Sequence, residues 1–288
     1  MAHKSRPAKR PIVDIGIPCL AYQAQGWWTS LSGLLLSEER YGKIKIGTIR
    51  ASSSAIPDMN KNATVGGKRF SDVDENRRTI SKNFLDSNAD YIFWIDDDTA
   101  PPQLAITKLY NSGHDFIAGL YFANSTYYPV MFKRADNSFG YVSIVNYTQG
   151  ELIEVDGIGM GCTLIHRSVY EKILDGHNLY RNRVGALIPI PKSAVLDKEP
   201  VIPKDFMPYI QNGIYQEPYW KTELKPEENF PFYMFHGGRG EDVHFCELAA
   251  NVGIKPWVDT SVLCEHYKIR SIKESDFIDK RLKAEGLG

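Results

Sequence analysis

Five apolar residues, Tyr91-Ile92-Phe93-Trp94-Ile95, run without a break into three carboxylates, Asp96-Asp97-Asp98. A short continuous apolar run with strong β-propensity suits a strand buried on both faces, as in a largely parallel sheet sandwiched by helices. Ligands of such open sheets bind beyond the carboxyl ends of the strands, which is where these acids fall. Side chains alternate along an extended chain, so Asp96 and Asp98 point the same way. Three adjacent carboxylates repel one another unless a cation or solvent relieves them. Two hard oxygen ligands beside a diphosphate suit Mg²⁺ or Mn²⁺. The plainer alternative is a solvated acidic turn ahead of Pro101-Pro102.

The rest of the chain repeats the alternation of strand and helix that an α/β sheet requires. Ile12–Ile17 reads as a first buried strand stopped by Pro18, and Trp27–Leu36 as a helix with Leu31, Leu34 and Leu35 on one face. Lys43–Arg50 reads as a second strand, residues 52–70 as a polar loop, and Asp74–Ser87 as a helix carrying Ile80, Phe84 and Leu85 inward. A short helix over Leu104–Ser112 and a strand over Phe116–Tyr121 follow the acidic triplet. Tyr127–Val145 alternates loosely around Asp136-Asn137-Ser138, a hairpin pattern that makes the later sheet mixed. Glu151–Val155 and Gly161–Ile165 read as strands around a glycine-rich turn, and Ser168–Leu174 begins a helix. Residues 176–235, crowded with Pro, Tyr and charge, are too long for an ordinary connection and read as a lid or acceptor surface. Glu241–Asn251 is a helix ended by Gly253, Lys255–Leu263 a final strand, and Ile272–Leu282 an amphipathic helix. The organisation expected is a basic tail over 1–10, one domain over 11–268 and a terminal helix over 269–288. A nucleotide-binding half, 11–125, and an acceptor half, 126–268, make up that domain.

Bulk properties remove several function classes. The 288 residues carry a formal net charge of −1, so there is no overall nucleic-acid footprint, although Lys4, Arg6, Lys9 and Arg10 make the first residues basic. Cys19, Cys162, Cys246 and Cys264 form no CxxC pair, which argues against a zinc knuckle and a disulfide framework and points to a reducing compartment. No apolar run reaches the roughly 18 residues of a membrane span, and the first residues lack the apolar core of a signal peptide. A cytoplasmic location is the expectation.

Three more segments carry chemistry. Val155-Asp-Gly-Ile-Gly-Met-Gly161 alternates glycine with other residues, which either admits a ligand to the backbone or makes a tight bend between strands. Gly240-Glu241-Asp242 opens a helix, where acids also serve as dipole partners. Cys264-Glu265-His266 closes the last strand with an imidazole, a structural group or a divalent-metal ligand. Just before Glu241, the loop from Tyr233 to Gly240 holds His236, Gly237, Gly238 and Arg239, suited either to closing over a diphosphate or to a plain surface turn. Tyr209, Tyr215, Tyr219 and Trp220 in the long insertion can stack on a sugar or base, or pack the insertion onto the sheet.

In this order, over residues 12–268, the segments resemble the GT-A-fold glycosyltransferases, close to the family 2-like group. The resemblance implies a GT-A fold: a Rossmann-like mixed central sheet flanked by helices, with an acceptor-side insertion. It implies a metal-dependent glycosyltransferase, most simply a hexosyltransferase, moving sugar from a UDP- or GDP-sugar to a hydroxyl acceptor, with Mn²⁺ or Mg²⁺ as cofactor. Pro18, Cys19, Leu20 and Tyr22 then match base and ribose contacts. Arg77 matches a donor-side arginine, although its family partner is Asn and here it is Arg78. Asp96 matches the group on ribose or metal-bound water, Asp98 and His266 the direct metal ligands, and Asp97 can exchange roles within the triplet. Gly159 and Gly161 match the wall behind the donor sugar. Asp242, beside Glu241, matches the acceptor-facing acid: a general base in an inverting enzyme, a binding group in a retaining one, with family 2 pointing to inversion. Two other readings stand beside it. A nucleotidyltransferase shares the nucleotide-binding half-sheet but normally has a basic residue in its first loop, and Pro18–Gly26 holds none. A non-catalytic module would hold nucleotide or glycan without turnover. A DNA-base acceptor would give the basic tail a use, but nucleic acid is not the expected partner.

Overall fold

A computed structural model describes residues 9–18, 25–52, 73–123, 127–135, 140–181, 187–196, 199–200, 220–221, 232–233, 240–267, 271–272 and 274–284. In chain order the first half contains β1 (Ile12–Pro18), α1 (Gln25–Tyr41), β2 (Lys45–Ser52), α2 (Val73–Leu85), β3 (Tyr91–Ile95), β4 (Thr99–Ala100), α3 (Ala105–Asn111) and β5 (Phe116–Leu120). Next come β6 (Met131–Arg134), β7 (Tyr141–Ser143), β8 (Leu152–Glu154), β9 (Gly157–Ile158), β10 (Cys162–His166) and α4 (Arg167–Gly176). The insertion contributes β11 (His177–Arg181), β12 (Leu187–Pro191), β13 (Val195–Leu196), β14 (Glu199–Pro200) and β15 (Trp220–Lys221). The chain then forms α5 (Glu241–Asn251), β16 (Trp257–Leu263), β17 (Glu265–Tyr267), β18 (Ser271–Ile272) and α6 (Glu274–Ala284).

A seven-stranded mixed sheet in the order β2-β1-β3-β10-β5-β16-β8 draws on both halves of the chain. β1 is parallel to β2 and β3, and β16 is parallel to β5. β10 runs antiparallel between β3 and β5, and β8 antiparallel on β16. β3 is an inner strand between β1 and β10, and its five residues divide between two cores. Ile92 and Trp94 join Ile80, Phe84, Tyr170 and Phe245 under α2, α4 and α5. Tyr91, Phe93 and Ile95 join Leu31, Leu34, Ile106 and Leu109 under α1 and α3. All five are at most 4% exposed, and burying a side chain of that size contributes about 1.5–3 kcal/mol.

Because β10 opposes its neighbours, its amino end lies at the same sheet edge as the carboxyl ends of β1, β3, β5 and β16. Pro18, Asp96, Tyr121, Gly161 and Cys264 therefore line one edge. β16 ends at Leu263, its predicted end, but His266 does not close it: Glu265–Tyr267 turns into a separate small sheet between β18 and β4. The cause is local, since the Cys264 amide donates to Leu120 and the Tyr267 amide to the Asp98 carbonyl. The hairpin predicted over Tyr127–Val145 forms as β6 and β7, and β9 joins it on the other side. Described parts of the insertion make a three-stranded sheet, β12-β11-β15, and a two-stranded one, β13-β14.

Candidate functional site

The acidic triplet is held from two sides. The Trp27 indole of α1 donates to the Asp96 carbonyl at 2.7 Å, and the Asp96 amide donates to the Gly161 carbonyl at 3.2 Å. Asp97 is buried, whereas Asp96 and Asp98 keep part of their carboxylates open. β17 pairs with β4 so that His266 faces Thr99, which sets its imidazole beside Asp98, 3.2 Å from Nε2 to Oδ2. The other ring nitrogen, Nδ1, is 2.8 Å from the Phe122 carbonyl. A carbonyl oxygen only accepts, so Nδ1 carries a proton and Nε2 is turned to Asp98, either protonated or offering its lone pair. A bond from the ring's other nitrogen to a carbonyl is how proteins commonly fix a metal-ligating imidazole. The edge of Tyr121 packs on the same ring.

Arg77 approaches from below, on α2. Its guanidinium is 2% exposed, bonds Asp96 at 2.5 Å, and reaches Glu241 at 3.4 Å on the first turn of α5. The face of Trp94 lies 5.2 Å from it and that of Tyr233 6.0 Å. Burial opposes the charge, but the two carboxylates outweigh burial and hold the guanidinium even more firmly protonated than usual. Trp94 Nε1 donates to the Tyr170 hydroxyl at 2.9 Å, and that hydroxyl meets Tyr233's at 2.6 Å. Tyr233, which the sequence places at the start of the loop before Glu241, is fully buried and stacked on Phe245, and Phe232 beside it is equally buried.

Asp242 follows Glu241 on α5. Burial, reinforced by the Glu241 charge, pushes its carboxyl up to about 7, although the Val243 amide and Arg77 pull the other way. Asp96 adds to the rise, so three acids share one buried cation.

Gly159 and Gly161 make room for Tyr121. A Cβ on Gly159 would lie 1.9 Å from the Tyr121 hydroxyl, and one on Gly161 would lie 2.7 Å from Thr99 Oγ1 and 3.2 Å from Asp96 Oδ2. Asp156, at the start of this segment, faces away from the triplet: it accepts from the Arg134 amide and pairs with Lys255 and Lys133. Pro18 is buried at the sheet edge. Cys19, Leu20, Tyr22, His236, Arg239, Tyr209, Tyr215 and Tyr219, with residues 53–72, lie outside the described residues.

The structure thus brings together Asp96, Asp98, His266, Arg77, Glu241, Asp242 and Gly161. Residue-type reasoning missed Trp27, Tyr121 and the Phe122 carbonyl. Their only sequence signal is position, one near the start of a helix and two just past a strand's carboxyl end. Among the described residues no three His, Cys, Asp or Glu side chains form a group that could hold a metal ion on their own. None of the helices described is long and apolar enough to cross a membrane.

No protein-family model matches the chain. No curated protein matches it. Among solved structures, the crystal structure of A197 from STIV is similar over 92% of this chain and 91% of its own, at 15% identity and a TM-score of 0.47. So distant a likeness assigns neither family nor chemistry.

Proposed function

We propose that this chain is a metal-dependent glycosyltransferase of the GT-A type, moving a sugar from a nucleoside diphosphate donor, UDP or GDP, to a hydroxyl acceptor. One observation carries the reading: the Asp98–His266 pair and the Asp242 carboxyl come from distant segments and meet at one sheet edge, joined through Asp96, Arg77 and Glu241. Asp98 and His266 would hold Mn²⁺ or Mg²⁺. The donor set fits, since the Phe122 carbonyl engages Nδ1 and turns Nε2 toward Asp98, whose carboxylate adds a hard oxygen. Bound there, the cation supplies positive charge to the diphosphate leaving group.

The chain's own residues do the rest. Asp96, held by Arg77 and with part of its carboxylate open, is placed to take ribose hydroxyls or metal-bound water. Gly161 keeps the wall beside it bare. Asp242, ionised above about pH 7, accepts the acceptor hydroxyl's proton. That oxygen then bonds the anomeric carbon from the side opposite the leaving group, the bond from that carbon to the diphosphate oxygen breaks with its electron pair, and configuration inverts.

The first test is a thermal-shift and hydrolysis screen of UDP-, GDP-, CDP- and ADP-sugars with and without Mn²⁺, on the wild type and Asp98→Ala. The expected result is metal-dependent stabilisation by one nucleotide class and slow sugar release, both lost in a folded Asp98→Ala. Turnover by that variant in the presence of chelator would sink the metal role. A folded wild type that responds to no sugar nucleotide would remove the transferase reading.

A further inference from the structure

We propose that Arg77 is a positioning residue rather than a donor contact: its buried guanidinium ties the Asp96 carboxylate to Glu241 and so sets the spacing between the donor side and the acceptor side of the site. The proposal builds on the transferase reading for its kinetic consequences and on geometry alone for the rest. At 2% exposure, Arg77 offers a nucleotide no surface. Its two partners come from elements 19 and 164 residues away in sequence, β3 and α5. A buried cation is retained where it is paired, and removing one partner of such a set leaves a charge stranded.

The socket is built to hold the group still. Trp94 and Tyr233 flank the guanidinium, and each ring is fixed in turn by the Tyr170 hydroxyl. Tyr233 belongs to the segment that leads into α5, so the same cation anchors the approach to Glu241 and Asp242 as well as the end of β3. A planar, five-donor guanidinium spans two carboxylates where an ammonium satisfies one. Asp242 bonds neither Arg77 nor Asp96, yet it feels both. The groups facing it are Glu241 on its own helix, Arg77 from α2 and Asp96 after β3, with Tyr121 and Cys246 near enough to sense its charge.

The experiment compares full-length wild type, Arg77→Lys, Arg77→Met, Glu241→Gln and the double variant Arg77→Met/Glu241→Gln, with Mn²⁺ and the sugar nucleotide the wild type hydrolyses. Positioning predicts a kcat loss of about 30-fold or more in Arg77→Met and about tenfold in Arg77→Lys, with the donor KM within about threefold of wild type. The double variant should be no worse than Arg77→Met alone, because the bridge is already broken. A raised donor KM at constant kcat would make Arg77 a donor contact and overturn the proposal, as would strictly additive losses. A second measurement needs no turnover: carboxyl ¹³C NMR of Asp242 as a function of pH. Removing the nearby cation in Arg77→Met should move its titration upward by about one unit or more. An unmoved titration in folded protein overturns the proposal even if no sugar nucleotide is ever turned over. A wild type inactive with every donor defeats the transferase reading instead, and the NMR result still decides the role of Arg77. Should Arg77→Met fail to fold, Arg77→Lys carries the kinetic comparison and Glu241→Gln the titration. Loss of the Glu241 charge should lower the Asp242 titration, and an unmoved one overturns the bridge.

Discussion

At the scale of single residues, Asp242 and Gly159 show opposite uses of a crowded site. Asp242 is crowded by charge. Burial and Glu241 raise its carboxyl to about 7, so the base form grows in only above neutrality. The expected profile of kcat/KM is a rise with pH through that region, with slope one on its acid side. Asp242→Asn should flatten the profile and lower kcat by about 100-fold or more, while metal-dependent stabilisation by the donor persists. Gly159 is crowded by volume. Its α-carbon faces the Tyr121 hydroxyl so closely that no Cβ fits. Gly159→Ala should cost about 1–3 kcal/mol in urea unfolding. Tyr121→Phe in the same chain should recover part of the loss, because it removes the nearest atom but leaves the ring and Val130 in place.

At the scale of elements, the short strand β17 has the largest consequence for the site. It has three residues, yet by leaving the main sheet at Cys264 it delivers His266 to Asp98. Helix α2 shows how such a short piece is backed by firm ones. The guanidinium of Arg167, at the start of α4, donates to the carbonyls of Phe84, Leu85, Ser87 and Ala89, each at 2.8 Å. The first two belong to the last turn of α2, where helical bonds run out, and the other two to the turn that leads into β3. Arg167→Met should therefore cost about 2–4 kcal/mol, read as a fall in the urea midpoint. Circular dichroism should show helix lost before sheet.

Elements and site were legible in the sequence to different degrees. β3 matches its predicted bounds of Tyr91–Ile95, and α5 matches Glu241–Asn251, because a run buried on both faces and an acid-led helix are local signals. Asp96, Asp98, Asp242 and His266 stood out for the same reason: each carries its chemistry in its residue type and its place after an element. What stayed hidden depends on tertiary pairing. The antiparallel insertion of β10 between β3 and β5 joins segments whose local patterns do not name a partner. Nothing local tells that Arg77 meets Glu241 across 164 residues, or that Tyr233, next to a glycine-rich run, is core. In both cases the deciding partner is an aromatic or acidic group from another layer.

At the scale of the whole molecule, these acids set a cost that folding resists and that the proposed chemistry would require. An unfolded aspartate titrates near its ordinary value of about 3.9. In the folded protein Asp242 titrates at about 7, so between those values the folded form binds the proton more tightly. Its contribution to stability is therefore fully present below pH 4 and is lost as pH rises to about 7, leaving an ionised, half-buried carboxylate that opposes folding in the range where the proposed base is ionised. Asp242→Asn removes that dependence. At pH 8 the variant should be more stable than wild type by about 2–4 kcal/mol in urea unfolding, and the gap should shrink toward zero as pH falls to 4. A stabilised, inactive Asp242→Asn would mark this as a site where activity and stability are exchanged through one proton. A variant no more stable at pH 8 than at pH 4, relative to wild type, would mean that Arg77 already neutralises the acid in full.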